Sequence, residues 1–355
     1  MIDAGSGPLT ASAVKAKALE LGADLVGIAS ADVLNAFPPD PRYPQTPDRI
    51  SPHVKSVVVI VQHIPAAVFR CKQMVPVQYM DMVILRRMDK VAGKLAMWLE
   101  EHGQPSFVTA AQETDWNMKR ASYGYLSTRH LGIEAGLGNF GLEVNILTPE
   151  YGPRLYLTGI LTEAELEADS PMVEQVCVGE GCSRCLHACP GDAVGHFDID
   201  KPACAQFAQE FGYMTVTAMM QRFAKADKKQ KQEMLQSRDL FGFWQGILRV
   251  VGSFGDCPRC LAVCPVGTDY HAFLADDQKH IPEITPEKVA KGEKFKAARK
   301  ANEDVAGLDD WNIRWVGPGG YTGKAAKQVR KAFKNKQAAL TAENQDGENQ
   351  AAEAD

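Results

Sequence analysis

CVGEGCSRCLHACP, residues 177–190, and CPRCLAVCP, residues 257–265, decide how this chain is read. The first supplies Cys177-x4-Cys182-x2-Cys185-x3-Cys189-Pro190 and the second Cys257-x2-Cys260-x3-Cys264-Pro265, with a lone Cys204 between them. Eight of the nine cysteines fall in this window, so they act together. Thiolates are soft ligands that select iron–sulfur clusters or zinc. Two runs each closed by Cys-Pro fit [4Fe–4S] ligation, in which the cysteine before the proline serves the other cluster. The ligands then add up. Cys177, Cys182 and Cys185 share one cluster with Cys264. Cys257, Cys260 and Cys189 share the other, and Cys204 is the thiol left nearby to complete it. Cys71 remains over.

Two alternatives stand beside this reading. The four-residue gap after Cys177 also occurs in [2Fe–2S] proteins, and paired Cys-x2-Cys can form a zinc ribbon. Interleaved triplets favour two [4Fe–4S] clusters over both.

Outward from the cysteines, the 355 residues have room for two domains. An apolar share of 45% is ordinary for a soluble globular chain. A net charge of −5 argues against general nucleic-acid binding, which makes that partner unlikely. The first residues carry no export signal, and no apolar run approaches the ~18 residues of a membrane span. A cytoplasmic location follows, with no membrane contact, and there clustered thiols read as metal ligands.

Residues 11–22 predict a helix stopped at Gly22, and residues 23–29 a short buried strand. Residues 57–61 are a β-branched run and read as a central strand. Residues 77–102 form a long helix, and 129–138 a helix entering a glycine turn. Residues 139–148 and 154–162 read as strands around a tight turn at 149–153. This is an α+β pattern, an α/β layer with a mixed or antiparallel sheet. Between the two cysteine runs, residues 205–256 are an insertion. Its segment 221–239 reads as one charged helix, and the whole is expected to shield a cluster. Residues 288–300 are basic, read as a solvated face with an acidic electron donor as the alternative occupant. The apolar segment 311–321 should dock on the body, and 341–355 form an acidic disordered tail.

Ala135–Gly141 with Asn145–Arg154 and Gly159–Thr162, followed by this cysteine order, resembles the superfamily of reductive dehalogenases and epoxyqueuosine reductases over roughly residues 12–268. The resemblance implies a nitroreductase-like α/β domain (1–165) that binds base-off cobalamin and a small-molecule substrate. A ferredoxin-like domain with two [4Fe–4S] clusters (166–275) follows, then an extension (276–340) and the tail. It implies reductive cleavage of a carbon–heteroatom bond, with an organohalide as the expected substrate. Epoxyqueuosine reduction on tRNA is one alternative, and a non-catalytic two-cluster electron carrier is another. Reduced ferredoxin, flavodoxin or a flavin reductase would supply electrons. Gly136, Gly138 and Gly141 would let backbone approach the corrin closely, and Asn139 and Asn145 would orient corrin amides or substrate. Epoxyqueuosine reductases place an aspartate where this chain has Ser122. Dehalogenases use a tyrosine in this neighbourhood, which makes Tyr123 and Tyr125 the candidate proton donors. Arg129 or Arg154 would then stabilise the developing phenolate. His130 is a weaker candidate.

Overall fold

A computed structural model describes residues 9–71, 75–110, 113, 115, 117, 123–209, 211–249, 257–270, 283–301, 303 and short pieces between 314 and 342. Residues 311–313 and 316–320 of the expected docking segment, and the expected tail apart from residue 342, lie outside these.

Helix α1 (Ala11–Leu21) starts at Thr10, whose hydroxyl accepts from the Ala13 amide at 3.2 Å. It ends at Gly22, which takes the left-handed conformation at φ 106° that a side chain would resist. Strand β1 (Leu25–Ser30) follows, then α2 (Ala31–Ala36) and β2 (Ser56–His63). Residues Val57–Val61 of β2 are wholly buried because both faces are covered. Helix α3 (Val75–Glu101) and strand β3 (Ser106–Val108) precede α4 (Thr128–Glu134). The short hairpin β4 (Asn139–Phe140) and β5 (Ile146–Leu147) leads to β6 (Leu155–Thr162). The sheet order is β1-β2-β6-β3 with every pairing antiparallel, so the sheet is not mixed.

Alternation sends β2 and β6 side chains to two cores. Val58, Ile60 and Ile160 meet Val14, Met88, Leu95 and Leu99 of α1 and α3. Val57, Val59, Leu157 and Leu161 meet Leu131, Ile133 and Ile146 of α4 and the hairpin. Each fully buried aliphatic side chain contributes about 1.5–3 kcal/mol relative to exposure. The result is a mixed α/β layered body.

A third core lies around the cysteines. Helices α5 (Arg184–Ala188), α6 (Lys201–Ala208) and α10 (Arg259–Val263) carry or flank the thiols. The insertion holds three helices, α7 (Tyr213–Lys225), α8 (Lys228–Leu235) and α9 (Arg238–Arg249). The single helix expected at 221–239 is thus broken: Asp227 and Gln230 close a capping box that starts a new helix. Helix α7 packs on α6, α8 on α7 and α9 on α8, and Phe241, Trp244 and Ile247 of α9 face outward. Helix α11 (Pro286–Lys300) also covers the thiols, turning Phe295 and Ala298 onto Leu186, Cys185 and Cys189. The basic stretch expected to be solvated is therefore a lid with only its outer face in water. Among the described residues no helix is long and apolar enough to cross a membrane.

Candidate iron–sulfur and proton-transfer site

The eight thiols gather into two neighbouring groups, and no disulfide joins them. Cys177, Cys182, Cys185 and Cys264 line one small cavity together with Glu143. In the other group Cys204 lies within electrostatic range of Cys189 and Cys257, and Cys260 within range of all three. Helices α5 and α10 pack against each other, which brings the two Cys-Pro runs side by side. Among the described residues no three His, Cys, Asp or Glu side chains close on one point as ligands of a single ion would.

Backbone amides already aim at sulfur. Gly179 N–H donates to Cys177 Sγ at 3.3 Å and Ala193 N–H to Cys189 Sγ at 3.2 Å. Such bonds tune cluster potentials. Burial, then the Glu143 charge, pushes the Cys185 and Cys260 thiols well above their ordinary range. Burial likewise lifts Cys204 to about 11. Bare thiols here hold their protons, so cluster assembly must displace them. The donor set, its burial and its N–H···S bonds fit iron–sulfur clusters.

Glu143 escaped sequence reasoning. Its carboxyl is buried between the groups and pushed up to about 7 by burial. A charged residue at a hairpin tip reads as solvent-facing in sequence, and only the packing of the hairpin on the cysteines reverses that.

The residues assigned by resemblance to the corrinoid lie close to other parts of the chain. A Cβ at Gly136 would strike the Ser170 carbonyl, one at Gly138 the Leu147 carbonyl, and one at Gly141 the Leu147 and Glu143 side chains. At these glycines the missing side chain leaves room for the chain's own neighbours. The Asn139 carboxamide donates to the Glu174 carbonyl at 2.6 Å and accepts from the Val176 amide at 2.9 Å, fixing the approach to Cys177. The Asn145 side-chain amide donates to Cys260 Sγ at 3.9 Å. Both asparagines contact the cysteine-bearing segments.

Arg154 is also reassigned. Its guanidinium is wholly buried and grips the Asp269 carboxylate at 2.9 and 2.5 Å. It also donates to the carbonyls of Leu261, Cys264 and Val266 at 3.3, 2.9 and 2.7 Å. With its donors committed it clamps β6 to the Cys264 turn and assists no tyrosine.

Arg129 does stand with Tyr123. It is half-buried, donates to the Val144 carbonyl at 2.8 Å and lies in electrostatic range of the Tyr123 hydroxyl. The Tyr123 ring stacks on Tyr43, with centroids 5.8 Å apart and planes 17° from parallel. The Lys201 ammonium sits 4.5 Å from the centre of the Tyr123 ring. Arg42, paired with Asp40 at 2.8 Å, adds a further nearby cation. The flanking loops are pinned by Arg49 to Asp115 at 2.7 Å and by Gln45 to the Gly124 carbonyl at 2.8 Å. Tyr125 is half-buried and has no ring or cation partner of this kind among the described residues. His130 packs edge-on against Phe140 with ring centroids 5.0 Å apart. Burial and then Arg129 hold it to about 3, so it stays neutral at physiological pH. Tyr43 and Lys201 were missed because their sequence distance from Tyr123 carries no signal.

No protein-family model matches the chain. The epoxyqueuosine reductase of Synechococcus sp. (strain RCC307) is 37% identical over 123 residues, 34% of this chain and 35% of that protein. The chain's match thus spans about a third of the length of the curated relatives it meets first. The tetrachloroethene reductive dehalogenase of Desulfitobacterium hafniense is 33% identical over 69 residues, 19% of this chain and 12% of that protein. Among solved structures, the catabolic reductive dehalogenase NpRdhA shares the fold at a TM-score of 0.50 and 16% identity, over 89% of this chain and 40% of that one. The chain is thus similar in sequence to segments of epoxyqueuosine reductases and reductive dehalogenases, and it shares the fold of a reductive dehalogenase.

Proposed function

We propose that this chain is an iron–sulfur reductase that cleaves a carbon–heteroatom bond, with Tyr123 as its proton donor. One observation carries the reading. Helix α6 bears both Cys204 of the second thiol group and Lys201, whose ammonium lies on the Tyr123 ring. The electron source and the proton source are therefore adjacent.

Clusters held by Cys177, Cys182, Cys185 and Cys264 and by Cys189, Cys204, Cys257 and Cys260 would supply single electrons. Reductive cleavage consumes two electrons, and a proton must reach the product. Tyr123 gives its hydroxyl proton, and the Arg129 and Lys201 charges stabilise the phenolate that remains. Asp40 keeps Arg42 oriented beside the stacked Tyr43 ring.

For the substrate, the comparisons support the epoxyqueuosine type better than the organohalide first expected. The epoxyqueuosine reductase match is longer and more identical than the dehalogenase match. This reading makes a tRNA the partner, against the expectation drawn from net charge. A second reading, dehalogenation, is favoured by one feature: the proton site is built on a tyrosine with cations, and Ser122 stands where the aspartate is expected.

The test is anaerobic purification with iron analysis, followed by turnover of an epoxyqueuosine-bearing tRNA stem loop and of a panel of halogenated phenols. About eight irons per chain are expected for two [4Fe–4S] clusters. Conversion of the stem loop supports the first reading, and halide release the second. Full iron with neither product refutes both substrates. Absence of iron refutes the reductase.

A further inference from the structure

Helix α11 covers the cluster region, yet nothing in the proposed reaction uses it. Its inner face is fixed. Lys288 is buried and donates to the carbonyls of Cys189 and Glu283. Gly292 lies against Ser183 and His187, and Phe295 and Ala298 enter the cysteine core. Arg299 pairs with Glu180, which in turn bonds His196. The helix is therefore a rigid cover over the loops that hold Cys182 and Cys185.

Its outer face carries more cations than carboxylates. Lys294, Lys296, Arg299 and Lys300 are exposed and Lys291 half-exposed, against the carboxylates Glu287 and Glu293 of the same helix. Lys296 reaches Glu293 at 3.6 Å and Lys291 reaches Asp192 at 3.2 Å. Lys294 and Lys300 enter no ion pair among the described residues. A chain of net charge −5 thus places Lys291, Lys294, Lys296, Arg299 and Lys300 on a helix that packs over its thiols. An anionic macromolecule meeting this face would sit on the helix that packs against the Cys185 and Cys189 thiols.

We infer that the outer face of α11 is the docking surface for an acidic one-electron carrier protein, which reduces the cluster held by Cys177, Cys182, Cys185 and Cys264. This rests on the reductase reading above and names where its electrons enter. Each encounter oxidises the carrier by one electron and reduces the cluster by one, and no bond is made or broken. Opposite potentials raise the encounter rate and set the orientation, and salt screens them. The arrangement also orders the path. With clusters held at these thiols, electrons would enter beneath α11 and leave from the group of Cys189, Cys204, Cys257 and Cys260, whose helix carries Lys201 beside Tyr123.

The experiment is anaerobic stopped-flow reduction of the iron-loaded protein, followed by bleaching of its cluster absorbance. The probes are a reduced [2Fe–2S] ferredoxin of strongly negative net charge and, separately, dithionite. With ferredoxin at low salt, Lys294→Glu/Lys300→Glu should be about 10- to 100-fold slower than the parent, the range that electrostatic steering spans. The parent rate should itself fall as salt rises. Iron content and the dithionite rate should stay at the parent value. Lys294→Gln/Lys300→Gln should give a smaller slowing, and it remains informative if charge reversal disturbs the helix. The control is Lys228→Glu/Lys229→Glu on α8, which should change the ferredoxin rate less than about twofold if docking is local.

An unchanged ferredoxin rate in both α11 variants overturns the inference. So does an equal slowing by the α8 control, which would mean net charge and not a docking face. A parent reduced by dithionite but not by ferredoxin overturns it as well. A parent without iron or cluster absorbance fails the reductase reading itself, an outcome distinct from the others.

Discussion

Replacing Arg154 by methionine should unseat Cys264 without touching any thiol. The guanidinium is fully buried and joins β6 to the second Cys-Pro turn through Asp269 and three carbonyls. Breaking a buried ion pair by removing one partner costs about 3–5 kcal/mol, because the other charge is stranded. The Asp269 side chain is 13% exposed, so water recovers a little of this. Three carbonyls lose a donor worth about 1 kcal/mol each, again partly returned by water. A net loss of about 4 kcal/mol is the central value, and at about 2 °C per kcal/mol the melting temperature should drop by about 8 °C. Iron should fall below the parent content, since the Leu261–Val266 carbonyls would no longer be anchored. Arg154→Met/Asp269→Asn should be less destabilised than Arg154→Met alone, because it leaves no unpaired carboxylate. Thermal unfolding and iron analysis of the three proteins decide it. An Arg154→Met protein that melts within about 2 °C of the parent and keeps its iron refutes the clamp, given the size of change a kcal/mol produces. It would also reopen a role for Arg154 at the tyrosine.

Tyr123→Phe should lower turnover by about 10²- to 10⁴-fold with iron unchanged, the usual span for a lost general acid, while Tyr125→Phe should stay near the parent in the same assay. Cys204→Ser should remove one of two clusters and leave about four irons per chain, and retention of about eight would exclude Cys204 as a ligand. His130 is held neutral at about 3, below its ordinary 6.5, so the unfolded chain binds the extra proton between those values. Its contribution to stability is present above pH 6.5 and is lost as pH falls toward 3, and His130→Gln should flatten that acid limb in urea titrations. Asn139→Ala frees the Glu174 carbonyl and Val176 amide and should cost about 1–3 kcal/mol, measured by urea unfolding, with earlier iron loss on exposure to a chelator.

The pairing of the two Cys-Pro runs, the central strand Val57–Val61 and the stop at Gly22 were legible in the sequence alone, and Tyr123 and Arg129 became candidates through the family resemblance. The first three depend on local spacing or residue chemistry, and none of them needs the rest of the chain to be known. What Asn139, Asn145, Arg154 and the three glycines do was decided only in three dimensions. Their side chains, or the room their missing side chains leave, are taken by segments far away in the sequence. Lys201 lies on Tyr123, Glu143 is buried between thiols and α11 roofs them for the same reason. Long-range packing determines which polar group loses its water and which partner replaces it, and no periodicity in the chain encodes that choice.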